Sequence, residues 1–241
     1  MRDEAAIQAT VTPCPRREEA PAPRAVPGRA WTSLYRSTHF PAPEDAIHRL
    51  VLWNIDLTLV DVARVARDAY AEAFSAVVGR PLIRLPQTAG RSESEIFFDA
   101  LALNGVDVRA DVAADRMLEP FSAELAATLE ARREDLVRHG QLMPGAAQAL
   151  AAVAGLDGVV QSVLTGNSKR TAVLKLQAFG LDGYVDFEIG GYGSEAYPKG
   201  TLLRVARQRA AEKNGVSFDE DATVYVADSA RDVDAARVGG A

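Results

Sequence analysis

Four short apolar runs, each ending in polar residues, constrain this chain more than any other feature. They are Leu50–Trp53, Val159–Thr165, Val185–Ile189 and Thr223–Ala227. A strand covered on both faces is apolar along its length and does not alternate, so the runs read as buried strands of a parallel sheet. Helical patterns follow the last three, at about Lys169–Phe179, Lys199–Lys213 and Ala230–Val238. Strand and helix in alternation predict a doubly wound, Rossmann-like parallel α/β sheet.

The interval between the first and second runs breaks that alternation. Residues 62–145 read as helix throughout. Val62, Val65, Ala69, Ala73 and Val77 recur at helical spacing, and Tyr70 and Phe74 widen the stripe. Ser92-Glu93-Ser94-Glu95 has the form of a capping box before Ile96-Phe97-Phe98. A third helical stretch is expected from Asp111, interrupted at Pro120 and ending near Gly140. This is far more chain than one crossover helix needs. An all-α domain inserted after the first strand is expected, with the α/β core made of residues 47–61 and 146–241.

Residues 1–46 differ from the rest. Prolines recur at positions 13, 15, 21, 23, 27, 41 and 43 among charges of both signs. Such a segment buries too little to offset its ordering entropy, and a disordered extension is expected. No apolar run of signal-peptide type follows the start. Nowhere does the chain approach the ~20 apolar residues of a membrane span, and the net charge of −6 argues against nonspecific nucleic-acid binding. Cys14 is the single cysteine, which excludes an intrachain disulfide and fits a reducing, cytoplasmic setting. His39, His48 and His139 have no metal-ligand spacing.

Chemistry-bearing residues cluster where the runs end, which in parallel α/β sheets is where ligands bind. The first run passes into Asn54-Ile55-Asp56-Leu57-Thr58, and alternate residues on an extended tip let Asn54 and Asp56 reach one ligand. An ordinary loop with capping Asp and Thr would read the same way. The second run ends in Thr165-Gly166-Asn167-Ser168, which suits an oxyanion and equally a plain helix cap. Lys199 follows Tyr197-Pro198 and opens a helix; it could neutralise a phosphate or stand solvated. The Gly190-Gly191-Tyr192-Gly193 stretch before it reads as a flexible turn. The last run gives Asp228 and Asp232, four apart, a pair that can hold a hard cation or simply favour a helix N-terminus.

Taken in order, Asn54-x-Asp56-x-Thr58, Thr165-Gly166-Asn167, Lys199 and Asp228-x-x-x-Asp232 resemble the four motifs of the haloacid dehalogenase superfamily, across roughly residues 49–241. The inserted helices resemble the family's C1 cap, and the nearest look is to phosphoglycolate phosphatases and β-phosphoglucomutase-like members. The resemblance implies a Mg²⁺-dependent phosphatase of a small phosphorylated metabolite. In that family the first aspartate of the first motif attacks phosphorus, and that position is Asn54. Asp56 matches the general acid/base. Thr165, with Gly166 and Asn167, and Lys199 match the phosphoryl-binding groups. Asp228 and Asp232 match the acids that hold Mg²⁺ together with the Asn54 side chain and the Asp56 carbonyl. Gly90-Arg91-Ser92 resembles the specificity loop of such caps; Arg91 could grip a distal anion or stand solvated.

Two departures bear on activity. An amide is a very poor nucleophile and a neutral cation ligand, so Asn54 is expected to weaken Mg²⁺ binding and raise the barrier by roughly 4–8 kcal/mol. Leu57 and Ala227 replace glycines frequent in the family, which is expected to be tolerated. The chain stops at Gly239-Gly240-Ala241, directly after the fourth-motif helix. The family generally continues with another strand and helix, so the C-terminal end of the core is expected to be missing and the last strand to expose an edge. The resulting readings are an impaired phosphatase, an inactive pseudophosphatase binding a phospho-ligand or a protein partner, or a truncated, decayed product.

Overall fold

The computed structural model describes residues 48–106, 113–195 and 199–241. The expectations for residues 1–46, the onset of the third helical stretch at Asp111 and Tyr197-Pro198 lie outside them. In chain order the elements begin with β1 (Arg49–Trp53), β2 (Val60–Asp61), α1 (Ala63–Val78), α2 (Glu93–Leu103), α3 (Ala113–Ala131), α4 (Arg133–His139) and β3 (Gln141–Leu142). They continue with α5 (Ala146–Ala154), β4 (Val159–Thr165), α6 (Lys169–Ala178), β5 (Gly191–Tyr192), α7 (Lys199–Asn214), β6 (Thr223–Val226) and α8 (Ala230–Gly239).

The main sheet has the order β5-β4-β1-β6, and every pairing in it is parallel. The first run is therefore central. Its alternate residues feed two cores: Leu50 and Leu52 pack with Leu202, Leu203, Ala206 and Phe218 on one face, while Val51, Trp53 and Ile55 join the larger cluster on the other. Gln161 is the polar residue of β4 buried in that second face. It is satisfied on both sides, accepting from Trp53 Nε1 at 3.0 Å and donating to the Leu150 carbonyl at 2.9 Å, as a buried amide requires. Among the described residues β6 pairs only with β1, which leaves it at the sheet edge with Val224 exposed.

Helices α1–α4 leave the core after β2 and return at β3, and these two short strands pair antiparallel, Val60 with Leu142 and Asp61 with Gln141. The expected stripe on α1 is buried at Val65, Ala69, Tyr70, Ala73 and Phe74. Phe97 stacks on Phe121 at 4.4 Å between ring centroids, so α2 and α3 share one aromatic centre. The capping box is present: Glu95 N–H donates to Ser92 Oγ at 3.3 Å and Ser92 N–H to Glu95 Oε2 at 2.8 Å.

Three local expectations are corrected. Val185–Ile189 is not a strand: the Asp186 carboxylate accepts from Glu188 N–H at 3.0 Å, and Ile189 N–H donates to the Asp186 carbonyl at 3.3 Å, closing the turn. An Asp whose side chain mimics a turn hydrogen bond outcompetes the β propensity of its neighbours. The edge pairing falls instead on Gly191–Tyr192, inside the stretch read as a flexible turn. The third correction concerns Pro120, which lies within α3 and does not interrupt it; the break comes at Arg132. Burial of Phe121, Leu125, Ala126 and Leu129 on one face outweighs the one helical hydrogen bond that proline removes.

Leu57 carries φ +60° and is 44% exposed. Left-handed backbone crowds a Cβ, at roughly 1–2 kcal/mol, against the smaller entropic cost of placing glycine there. Replacing Leu57 with Gly is therefore expected to raise the unfolding free energy by about 0.5–1 kcal/mol in urea titrations. A loss of stability would show that the leucine side chain contributes more than its backbone strain costs.

Candidate active site

Asn54 directly follows β1, and its N–H donates to the Val226 carbonyl at 2.9 Å, which fixes it where β1 and β6 part. This is the switch point of the sheet, because the chain proceeds from β1 through β4 to β5 and then returns to the other side of β1. Asn54 is 7% exposed. The two ends of its amide meet opposite charges. Lys199 Nζ donates to Oδ1 at 3.4 Å, while Nδ2 donates to Asp228 Oδ1 at 2.8 Å and to the Asp56 carbonyl at 3.0 Å. Reversing the amide would set N–H against an ammonium and oxygen against a carboxylate, so the surrounding charges fix its orientation. Thr58 Oγ1 adds a second donor to Asp228 Oδ1 at 2.9 Å.

Lys199 opens α7 and is buried. Its ammonium lies 2.5 Å from Asp232 Oδ1 and 5.5 Å from the Tyr225 ring centroid. Both Asp232 oxygens are committed: Oδ1 also accepts from the Tyr225 hydroxyl at 2.9 Å, and Oδ2 from Ser229 Oγ at 2.5 Å. Burial acts to raise the Asp232 pKa, but the Lys199 charge and hydrogen bond outweigh it and hold the group below the ordinary carboxylate value. Asp232 thus sits behind Lys199 and orients it, whereas Asp228 is exposed at the mouth of the site.

A second cluster gathers around Asp56. Its Oδ1 accepts from Lys175 Nζ at 2.7 Å and its Oδ2 from Asn167 Nδ2 at 2.7 Å. Lys175 also donates to Asn167 Oδ1 at 2.8 Å, and Asn167 Nδ2 to Thr165 Oγ1 at 2.7 Å. Thr165 is fully buried behind Asn167. Lys175, on the inner face of α6, was not among the residues the sequence singled out; nor was Tyr225. The available signal was scarcity, since Lys175 is one of only four lysines.

The α1–α4 insertion closes over these groups at two glycines. A Cβ on Gly166 would lie 1.9 Å from the Arg91 carbonyl oxygen, and one on Gly90 would lie 2.5 Å from Arg231 Cβ. Both glycines let loop 88–92 press on the core, and the Glu93 N–H donates across to the Gly166 carbonyl at 2.7 Å. Ser92 caps α2 and is buried. Arg91 lines the cavity, with its guanidinium on Asp99 Oδ2 at 2.6 Å. The cavity, open at one side, measures about 220 Å³, with Asn54, Asp56, Asn167, Lys175, Lys199 and Asp228 among its walls.

The family description of haloacid dehalogenase-like hydrolases matches residues 51–237. The chain belongs to that family. No curated protein matches it by sequence. Its fold is similar to that of CbbY from Rhodobacter sphaeroides in complex with phosphate, at 19% identity and TM-score 0.54, covering 80% of this chain and 83% of that one. The same figures hold for a form of CbbY carrying an aspartate-to-asparagine substitution, solved with xylulose-(1,5)bisphosphate. A predicted phosphoglycolate phosphatase from Haemophilus somnus 129PT matches at 18% identity and TM-score 0.51, covering 80% of this chain and 82% of that one. Among the described residues no helix is long and apolar enough to cross a membrane.

Haloacid dehalogenase-type phosphatases generally use Mg²⁺. The donor set here does not fit a divalent cation. Asn54 Nδ2, a hydrogen-bond donor, already bridges the Asp56 carbonyl and the Asp228 carboxylate. Both Asp232 oxygens hold other partners, and no cluster of three or more His, Cys, Asp or Glu suited to a metal occurs among the described residues. A hard cation requires converging oxygens, and with its amide turned this way Asn54 presents an N–H among them.

Burial acts to raise the Asp56 pKa, but Lys175, by charge and hydrogen bond, with Asn167 and Lys199 outweighs it and holds the carboxyl below its ordinary 3.8. A carboxylate with a depressed folded-state pKa contributes stability above its unfolded value and loses it as pH falls through the folded one. Lys175→Met is therefore expected to destabilise the protein at pH 7 by on the order of 1 kcal/mol, a discounted figure because the Asp56 side chain is 43% exposed. The deficit should shrink as pH drops below about 4, and the Asp56 carboxyl should titrate at higher pH in the variant. An unmoved Asp56 titration, followed by NMR, would contradict the ion pair.

Proposed function

We propose that this chain is a haloacid dehalogenase-type phosphatase scaffold that holds a small phosphorylated metabolite without appreciable turnover. Lys199, Asn167 and the Gly166 backbone take the phosphoryl group, and Thr165, buried behind, holds Asn167 in place. Asp56 stands in the general acid/base place, and the loop Gly90-Arg91-Ser92 faces the rest of the ligand. Asn54 occupies the place of the attacking carboxylate. Covalent phosphoryl transfer in this lineage needs a carboxylate oxygen to bond to phosphorus while the alcohol leaves with a proton from the acid. An amide oxygen is neutral and cannot form the aspartyl-phosphate.

The observation that supports the reading is the amide of Asn54, seated between Lys199 and Asp228 beside Asp56. The CbbY form with asparagine in place of an aspartate, solved with a sugar bisphosphate, supports it: a related fold bearing such a substitution holds a phosphorylated ligand. Mg²⁺ enters this proposal only with a carboxylate at position 54.

Phosphate release from a panel of phosphomonoesters in Mg²⁺ tests the reading. The protein with Asn54 is expected to be slower than Asn54→Asp by about 10³-fold or more, and EDTA should stop the variant. Turnover by the Asn54 protein at the rate of Asn54→Asp would refute the proposal. Silence of both folded proteins would show that more than the nucleophile has been lost.

A further inference from the structure

The cavity above the phosphoryl site has a second wall, and its chemistry narrows the ligand. That wall comes from α1–α3 and the loop between α1 and α2: Ala66, Leu85, Ile96, Leu125 and Leu129 line it, together with Tyr70, whose buried hydroxyl has no hydrogen-bond partner among the described residues. Ile96, Leu125 and Leu129 are buried to 9%, 5% and 1% exposure, so they form a rigid apolar surface and not a solvated rim.

Two of the charged groups near this wall, Arg91 and Glu93, are already engaged. The Arg91 guanidinium donates to Asp99 Oδ2 at 2.6 Å and to the Glu95 carbonyl at 3.3 Å. Glu93 is buried, accepting from Ser122 Oγ and from Ser168 N–H at 3.3 Å. Burial is the main cause that pushes its pKa up, although Ser122, Ser168 and Lys175 oppose it. Arg67 stands exposed at the mouth. A carboxylate or second phosphate held against this wall would meet leucine, isoleucine and an acidic side chain, with Arg67 at the exposed mouth and not among them. A hydroxyl-rich sugar would lose most of its hydrogen bonds on the same surface, where the Tyr70 hydroxyl could satisfy one.

Resting on the phosphoryl-site reading above, we infer that the ligand is a phosphomonoester with a compact, uncharged, apolar body, an aryl or branched alkyl group. The size is suitable: a cavity of about 150 Å³ lined by aliphatic residues admits a benzene ring, and this one, at about 220 Å³, has the phosphoryl groups at its base.

Calorimetric titration of the full chain in Mg²⁺ buffer with inorganic phosphate, phenyl phosphate, 2-phosphoglycolate and glucose 6-phosphate tests the inference. Phenyl phosphate is expected to bind at least about tenfold more tightly than inorganic phosphate, and the other two to gain less than about threefold. Ala66→Leu, which fills the wall without opening a void, should reduce the phenyl-over-phosphate ratio by about fivefold or more, with thermal unfolding as the check on folding. If 2-phosphoglycolate or glucose 6-phosphate binds as tightly as phenyl phosphate, or if Ala66→Leu leaves the ratio unchanged, the apolar-body inference falls while the phosphoryl site stands. If none of the four binds, inorganic phosphate included, the phosphoryl-site reading falls and this inference with it.

Discussion

The side-chain amide of Asn54 lies between a buried ammonium and a carboxylate, and the arrangement of the whole site follows from that placement. Its oxygen meets Lys199 and its nitrogen meets Asp228 and the Asp56 carbonyl. An aspartate there would offer two oxygens, one to the lysine and one to a cation. The amide makes the same two contacts internally, with a donor in place of the cation. Asp228 and the Asp56 carbonyl, which would otherwise face one another across an electrostatic gap, are bridged by one N–H₂ group. The polar groups at the strand tips thereby satisfy one another.

Two ion pairs add to these contacts. Lys199 rests on Asp232 and Lys175 on Asp56. Buried ionic groups persist when hydrogen bonds satisfy their remaining capacity: buried Asp232 has Tyr225 and Ser229, and buried Lys175 has Asn167 besides the part-exposed Asp56. The consequence is orientation. Asn167 is held by Lys175, Asp56 and Thr165 together, so its side chain has one available pose. The helical insertion contributes by steric fit, since loop 88–92 can rest on the core only because positions 90 and 166 lack a Cβ.

The sheet was legible wherever an apolar run served only as a buried strand, as at Leu50–Trp53, Val159–Thr165 and Thr223–Val226. It was misread at Val185–Ile189, where an Asp side chain within the run builds a turn and two residues after it take the edge pairing. The insertion was legible from its helical stripe and capping box, but Pro120 misled because packing of the opposite face of α3 overrides a single lost hydrogen bond. Within the site, Asn54, Asp56, Asn167 and Lys199 stood out because each ends or follows a run. Lys175 did not: it lies mid-helix, two turns past the strand tip, and its partner Asp56 is 119 residues away in sequence. A lone lysine at such a position resembles a solvated one until the fold brings its partner to it. The strain at Leu57 was equally hidden, because only the backbone reveals a positive φ.

Binding of Mg²⁺ itself, measured by titration calorimetry on the protein with Asn54 and on Asn54→Asp, tests this account most directly because it requires neither substrate nor turnover. The account predicts no saturable Mg²⁺ binding at this site with Asn54 and its appearance in Asn54→Asp, where two carboxylates and the Asp56 carbonyl converge. Equal Mg²⁺ affinity in the two proteins would contradict it, since the amide nitrogen could not then be bridging Asp228 and the Asp56 carbonyl.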